Sequence, residues 1–327
     1  MFWVKIKYRY QLLKLTLFFK IRLGNYLLKN KYGERIIVFH GIDKVGETRY
    51  NSRFVSEQYF EDFILNITKN YNVISLDDFY NKKFKPNTLN IALTFDDGYA
   101  NNFKYAIPIL KKHNIPASFY ITTIHNENEF LWPDFIDLVS FYSDKKTITF
   151  NGKEFVKNKK EFYSGNKSLK SELKRVSFDK IQQVYEIFND DWQKIKQKKL
   201  DDYWQLMTED QIKEIAKHPL FTIGSHGSTH TNLVAISTHD SKEEILHSKK
   251  ELEKICNTKI TEFAFPFGYY SEELVDYCSE IGYSKILLVD YNNNEDKKNE
   301  LLKNRFVINP YISYEEQLYF LLRGSYD

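Results

Sequence analysis

Two aspartates closing an apolar run, Leu93-Thr94-Phe95-Asp96-Asp97-Gly98, and two histidines in Ser225-His226-Gly227-Ser228-Thr229-His230 have the residue types of a mononuclear metal hydrolase. Two imidazoles and one carboxylate make a facial ligand set that leaves positions open for water and substrate. A second carboxylate beside the first is then free to accept a proton. Successive side chains on an extended backbone point opposite ways, but Gly98 lets the chain turn so that Asp96 and Asp97 approach one site. The histidine spacing puts both rings on one face of a helical turn, and a loop could converge them too. Alone, each motif is weak, since Asp-Asp-Gly is usually a turn and His-x-x-x-His arises on polar helix faces. Here each follows its own strand-like run, Ile91 to Phe95 and Phe221 to Ser225, and the joint pattern is much harder to obtain by accident.

Chemistry at strand ends needs a sheet whose strands end together. Strand patterns fall at Arg35 to His40, Asn72 to Leu76, Leu89 to Phe95, Ala117 to Thr122, Phe221 to Ser225, Glu262 to Pro266, Lys285 to Val289 and Arg305 to Asn309. Helical patterns between them include Ser56 to Lys69, Tyr99 to His113, Thr208 to Lys217, Ser241 to Cys256 and Ser271 to Ile281. Such alternation predicts a parallel α/β barrel with its site at the C-terminal ends of the strands. The stretch 125–203 breaks the rhythm. It opens with Phe130-Leu131-Trp132-Pro133-Asp134-Phe135, carries a hairpin pattern from Thr147 to Val156 around Asn151-Gly152, and continues as charged helix from Ser168 to Lys199. An insertion this long after a barrel strand commonly forms a lid or a wall of the binding groove. Trp132 and Asp134 either face that groove or anchor the insertion.

In order and content these motifs resemble the polysaccharide deacetylases of the NodB-homology type, carbohydrate esterase family 4, over about Ile36 to Ile308. The resemblance implies a distorted (β/α)7 barrel, TIM-like, with the stretch 125–203 as a long α-rich insertion. It implies that Asp96 is the catalytic base and Asp97 a metal ligand, with His226 and His230 completing the ligand set. Phe263-Ala264-Phe265-Pro266-Phe267-Gly268 is similar to the family's third motif, a groove wall in which the Phe267 backbone N–H meets the oxyanion. Pro266, Gly268, Tyr99 and Trp132 join that groove.

Two family features are missing. Many members begin the third motif with an arginine that orients the base, where this chain has Ala264. Many also end in a Leu-x-His motif that supplies the general acid, whereas here Arg305-Phe306-Val307-Ile308-Asn309-Pro310 contains no histidine. The early strand Ile36-Ile37-Val38-Phe39-His40-Gly41 is similar to the Tyr-His segment of the circularly permuted exopolysaccharide poly-N-acetylglucosamine deacetylases, and this makes His40 the candidate acid. First and last strands of a closed barrel are neighbours, so the substitution is geometrically sensible, and a near-neutral imidazole suits protonation of a leaving amine.

The implied activity is metal-dependent removal of N-acetyl groups from hexosamine residues of a surface polysaccharide or its lipid-linked precursor. The divalent ion is expected to be Zn2+, with Fe2+, Co2+ or Ni2+ suiting the same ligands. Deformylation of a sugar formamide and O-deacetylation use related chemistry, and a degenerate member would bind saccharide without turnover.

At 327 residues, 42% hydrophobic and 17% aromatic, the chain can bury a core large enough for one main domain, 34–327. A net charge of +3 with no basic, aromatic-interleaved platform argues against nucleic acid. Cys256 and Cys278 are too few for a secreted disulfide framework and are expected reduced. The segment 1–33 is different, with Lys5, Lys7, Arg9, Lys14, Lys20 and Arg22 interleaved with Phe2, Trp3, Leu13, Leu17 and Phe18, and no acid before Glu34. Its apolar run is too short to span a bilayer and lacks a small-residue cleavage site. The pattern reads as a basic amphipathic helix, either resting on the inner face of the cell membrane or packed on the barrel. The first reading places a cytoplasmic enzyme beside a lipid-linked substrate.

Overall fold

The computed structural model describes residues 12–21, 28, 32–126 and 128–326. Leu89–Phe95 and Ala117–Ile121 are buried along their whole length, as strands covered on both faces must be. They sit inside a parallel sheet that runs, neighbour by neighbour, from Leu302–Asn304 through Lys285–Leu288, Glu262–Ala264, Phe221–Ser225, Ala117–Ile121, Leu89–Phe95 and Gly33–Phe39 to Phe306–Val307. The two end strands are consecutive in sequence and separated only by Arg305. One side of that corner pairs with Lys285–Leu288 and the other with Gly33–Phe39. A single bent strand therefore closes the ring, which gives the distorted (β/α)7 barrel.

Alternation along the strands sorts side chains to two cores. Ile36, Ala92, Tyr120, Ala264 and Leu287 share an interior cluster, plugged from below by Leu76 and Phe79. The alternate positions Ile37, Phe39, Leu93, Phe95, Phe119 and Phe263 meet the outer helices. Helix Glu57–Asn70, capped by the Ser56 side chain, contributes Phe60, Phe63, Ile64 and Ile67 to that shell. The strand expected at Asn72 to Leu76 stops at Val73, because Ser75 caps a short helix, Leu76–Tyr80, whose two apolar residues form the plug. The helix expected from Tyr99 to His113 forms over residues 100–112, with a π-turn at Asn102–Ala106 that continues into Ile107–Lys112.

The insertion has its own core. Antiparallel strands Thr147–Phe150, Lys153–Asn158, Glu161–Ser164 and Lys167–Ser168 form a four-stranded sheet, which extends the expected hairpin by two strands. Asn151 and Gly152 both take positive φ, as a tight hairpin turn requires. The charged stretch from Ser168 folds as three helices, Leu169–Leu173, Phe178–Ile187 and Asn189–Lys196. Phe135, Phe155, Leu173, Val184 and Ile195 pack among them, and the cluster reaches the barrel rim through Phe54 and Tyr99. Both cysteines are free.

Residues 12–20 are helical. Leu15 is buried in the main core, Leu12 and Phe19 pack against it, and the Thr16 hydroxyl bonds the Glu316 carboxylate. Leu13, Leu17, Phe18 and Ile21 remain exposed. The rest of the basic segment, residues 1–11, 22–27 and 29–31, lies outside the described residues. Among the described residues no helix is long and apolar enough to cross a membrane.

Candidate metal centre

Strand Leu89–Phe95 ends at the barrel's upper rim, where Asp96 donates its backbone N–H to the Phe39 carbonyl at 3.0 Å, in step with the neighbouring strand. Asp97 then takes φ +77°, rare for a residue with a Cβ, and Gly98 follows at +81°. The reversal turns the two carboxylates toward one cavity by different routes. Local strain of this kind persists where the surroundings fix it, typically at functional sites.

Asp97, His226 and His230 converge, with one ligand atom from each lying within 4.8 Å of the others. Nε2 of His230 is 3.1 Å and Nε2 of His226 3.4 Å from the same Asp97 oxygen. Neither Asp97 oxygen has a well-formed hydrogen bond, although both are buried. Orphaned buried carboxylate oxygens facing two imidazole nitrogens fit a divalent cation, because an uncompensated buried polar group is otherwise costly. The ligand types and open coordination positions suit zinc. Burial would raise the Asp97 pKa, but the Arg53 guanidinium, 3.6 Å away, and the two histidines outweigh it and hold the carboxyl well below the usual range. The side chain is therefore ionised, as a ligand must be.

The histidines come from a loop rather than a helix. His226 follows strand Phe221–Ser225, and its Nδ1 bonds the Ala264 carbonyl at 2.7 Å, which leaves Nε2 directed at Asp97. His230 sits at φ +56°, pinned from behind by the Trp132 indole N–H, which donates to its carbonyl at 2.9 Å. Trp132 is buried. Of its two readings, the structure supports anchoring of the insertion, here directly onto the ligand loop. Glu244 ties the loop further by accepting from the Ser228 and Thr229 backbone N–H groups, each at 3.0 Å.

Asp96 has a different partner. Arg305 grips it with two parallel hydrogen bonds, Nη1 to Oδ1 at 2.6 Å and Nη2 to Oδ2 at 2.7 Å. Both side chains are buried. Burial alone would raise the Asp96 pKa, but Arg305, then His226 and His40, bring it below the ordinary value. The arginine missing from position 264 thus has its counterpart at the corner that closes the barrel. A Cβ on Gly224 would lie 2.5 Å from the Tyr120 ring, and the Arg305 guanidinium lies 5.6 Å from that ring's centroid. The sequence signal was a lone arginine inside an apolar strand, 209 positions from its partner.

His40 lies at the end of strand Gly33–Phe39, close enough for Asp97 and Asp96 both to act on its ring. The near-neutral pKa expected of it is not found. Burial, and then Arg53, push it down to about 3, against the pull of the two aspartates. Its carbonyl accepts from the Asn102 side chain at 2.7 Å, so the π-turn helps to set this loop. Phe267, at φ +60°, packs edge-on against His230 with centroids 4.5 Å apart. Pro266 lies against the ligand loop beside Gly227, and Gly268, at φ +76°, is so close to Val289 that a Cβ would collide. Tyr99 does not line an open groove, because it is fully buried and its hydroxyl donates to Asp134 at 2.7 Å. Asp134 is buried too, and also accepts from Asn51 at 2.8 Å. His40, Arg53, Phe267 and Gly268 are among the partly exposed residues around the buried triad.

The comparisons with known proteins agree with this geometry. The family model described as polysaccharide deacetylase matches residues 83–286. The Bacillus subtilis (strain 168) protein named "Putative polysaccharide deacetylase YxkH" is 23% identical over 199 residues, 61% of this chain, which spans 44% of that relative's length. Among solved structures, Streptococcus pyogenes deacetylase PplD in complex with acetate superposes with a TM-score of 0.55 at 19% identity, covering 87% of this chain and 96% of that one. IcaB from Ammonifex degensii superposes with a TM-score of 0.54 at 13% identity, covering 89% and 98%. At such identities the structural likeness speaks for the fold, and the family match across most of the barrel supplies the rest: this chain belongs to the polysaccharide deacetylase family.

Proposed function

We propose that the protein is a metal-dependent hydrolase that removes N-acetyl groups from hexosamine residues of a surface polysaccharide or its lipid-linked precursor. The observation that carries this reading is the buried Asp97 carboxylate, without a well-formed hydrogen bond, facing Nε2 of His226 and His230 beside a second aspartate already occupied by an arginine. Asp97, His226 and His230 would hold a divalent cation, most naturally zinc, which would supply Lewis acidity toward the acyl carbonyl and acidify a bound water. Asp96, oriented by Arg305, takes the proton of the attacking water. The Phe267 N–H stabilises the oxyanion as charge develops, since a fixed donor costs no reorganisation at that moment. His40, neutral in the resting site, receives the proton taken from the water as negative charge builds up beside it and passes it to the departing nitrogen.

The same machinery serves sugar formamides and O-acetyl esters, so the acyl group has to be read from products. Acetate and formate release from free and lipid-linked N-acylated and O-acetylated hexosaminides, with and without chelator, tests the reading. Release that stops with chelator and returns with zinc supports it. Bound metal with no release from any substrate would instead identify a noncatalytic saccharide-binding member.

Residues 1–33 form a basic attachment segment in this proposal, and 34–327 the catalytic unit. The helix over residues 12–20 packs on the barrel through one face and presents Leu13, Leu17 and Ile21, one above the other, on the opposite face. Exposed apolar residues flanked by basic ones suit an anionic headgroup layer. In this reading the protein works at the inner face of the cell membrane, near lipid-linked saccharides. Deleting residues 1–30 is expected to abolish co-sedimentation with phosphatidylglycerol vesicles, and undiminished partitioning would end this part of the proposal.

A further inference from the structure

The insertion brings a cation to the mouth of the metal centre. Lys174, directly after helix Leu169–Leu173, holds its ammonium 4.3 Å from the centroid of the Phe267 ring. That ring is the one packed edge-on against His230. Lys174 is therefore two ring contacts from the ligand set, on the side the insertion covers. It is half-buried, and no carboxylate among the described residues is close enough to pair with it. The nearest candidate, Asp137, is already taken by Lys170. Burial, then repulsion from Lys170 and Arg53, depresses the Lys174 pKa, so all three cations lie within electrostatic reach around one rim. Arg53 is directed at Asp97, whose charge is shared with the two histidines.

Crowding like charges on a partly desolvated rim is unfavourable, and one ring face compensates for little of it. An anion entering with the substrate would turn that cost into attraction. We infer that the rim formed by Phe267 and Lys174 takes a saccharide bearing a negatively charged substituent, phosphate or carboxylate, which pairs with Lys174 while the acylated sugar lies over the triad. This rests on the deacylase reading and adds to it the substrate's charge. Phosphate and carboxylate share the required chemistry, and the substrates of the test separate them.

The test compares kcat/KM for a neutral N-acetylglucosamine trisaccharide with that for the same trisaccharide carrying a phosphate monoester, a phosphodiester or a uronate on the adjoining sugar. The wild type is expected to favour the best anionic substrate by about tenfold, the size of one charge-assisted hydrogen bond. Lys174→Ala brings the ratio toward one, Lys174→Glu inverts it, and Lys174→Arg keeps it. Using a ratio cancels any general loss common to both substrates. Added salt should shrink the wild-type preference as well. Equal rates on neutral and anionic substrates, or a preference unchanged in Lys174→Ala, would overturn the inference. Calorimetric binding of the phosphorylated, already deacylated sugar gives a readout without turnover. Lys174-dependent binding in a protein that releases no acetate would keep the anionic subsite while removing the hydrolase reading.

Discussion

Replacing Arg305 with alanine tests whether Asp96 is the base and what holds it in place. The guanidinium makes its two shortest bonds to Asp96 in a buried setting, with longer ones to the Thr94 hydroxyl and the Leu288 carbonyl, so truncation strands a carboxylate away from water. Breaking one side of a buried pair typically costs about 3–5 kcal/mol of stability. The pH dependence carries the sign. In the wild type the Asp96 pKa lies below its ordinary value, so the pair's contribution is present above the unfolded pKa and fades as pH falls through the folded one. Without Arg305, burial is the dominant influence and raises that pKa. Asp96 in the variant then destabilises the fold increasingly as pH rises above about 4. The stability gap between wild type and variant is therefore expected to widen from acid to neutral pH in urea titrations. In activity, loss of the two-point grip lets the carboxylate rotate, and kcat/KM should fall by about 100-fold, the usual scale of a misplaced catalytic group. The acid limb of the pH–rate profile should move upward. Zinc content should not change, because Arg305 touches Asp96 and not Asp97. Arg305→Lys keeps the charge without the fork and should fall between the two. A variant with wild-type kcat/KM and an unmoved acid limb would refute the assignment of Asp96 as an arginine-oriented base.

The remaining predictions concern single groups. Asp96→Asn is expected to keep bound metal while losing rate, and Asp97→Asn to lose both, as read by metal analysis and acetate release; the opposite pattern reverses the two roles. His40→Ala should lower turnover by about 10²–10⁴-fold with metal retained, the range for removing a proton donor, and full activity would dismiss His40 as the acid. Burial, partly offset by Arg53, raises the Asp134 pKa to about 7, whereas the unfolded carboxyl titrates near its ordinary value. The unfolded state then binds fewer protons over that interval, so the wild type loses up to about 4 kcal/mol between about pH 4 and 7. Asp134→Asn should remove that slope in urea midpoints, and an unchanged slope would show that the carboxyl is ionised in the fold.

Local chemistry made the ligand set readable. Asp97, His226 and His230 each follow an apolar strand, and strand ends in a parallel barrel face one rim, so alternation plus motif was enough to place them together. The same logic located Asp96 and His40, but not their electrostatics. The pKa of His40 depends on Arg53, a residue in a loop with no periodic signal, and burial is a property of the whole rim. Tyr99 and Trp132 were legible as residues near the site and ambiguous in role, because an aromatic ring signals a groove or a core equally well until its polar tip finds a partner. Those tips go to Asp134 and to the His230 carbonyl, so both residues support the site from behind.

Arg305 shows where linear reading stops. As a sequence, Arg305-Phe306-Val307 is a strand with a charge at its start, and nothing local says whether that charge meets solvent or the barrel interior. The choice is made by closure of the ring. The chain leaves Lys285–Leu288 at Asn304 and joins Gly33–Phe39 at Phe306, and the residue at that corner turns inward. Gly224 contributes at one remove, because a Cβ there would collide with the Tyr120 ring beside which the guanidinium lies. A barrel can keep an interior charge at a fixed point while changing the strand that delivers it, since every strand of a closed ring borders the same interior.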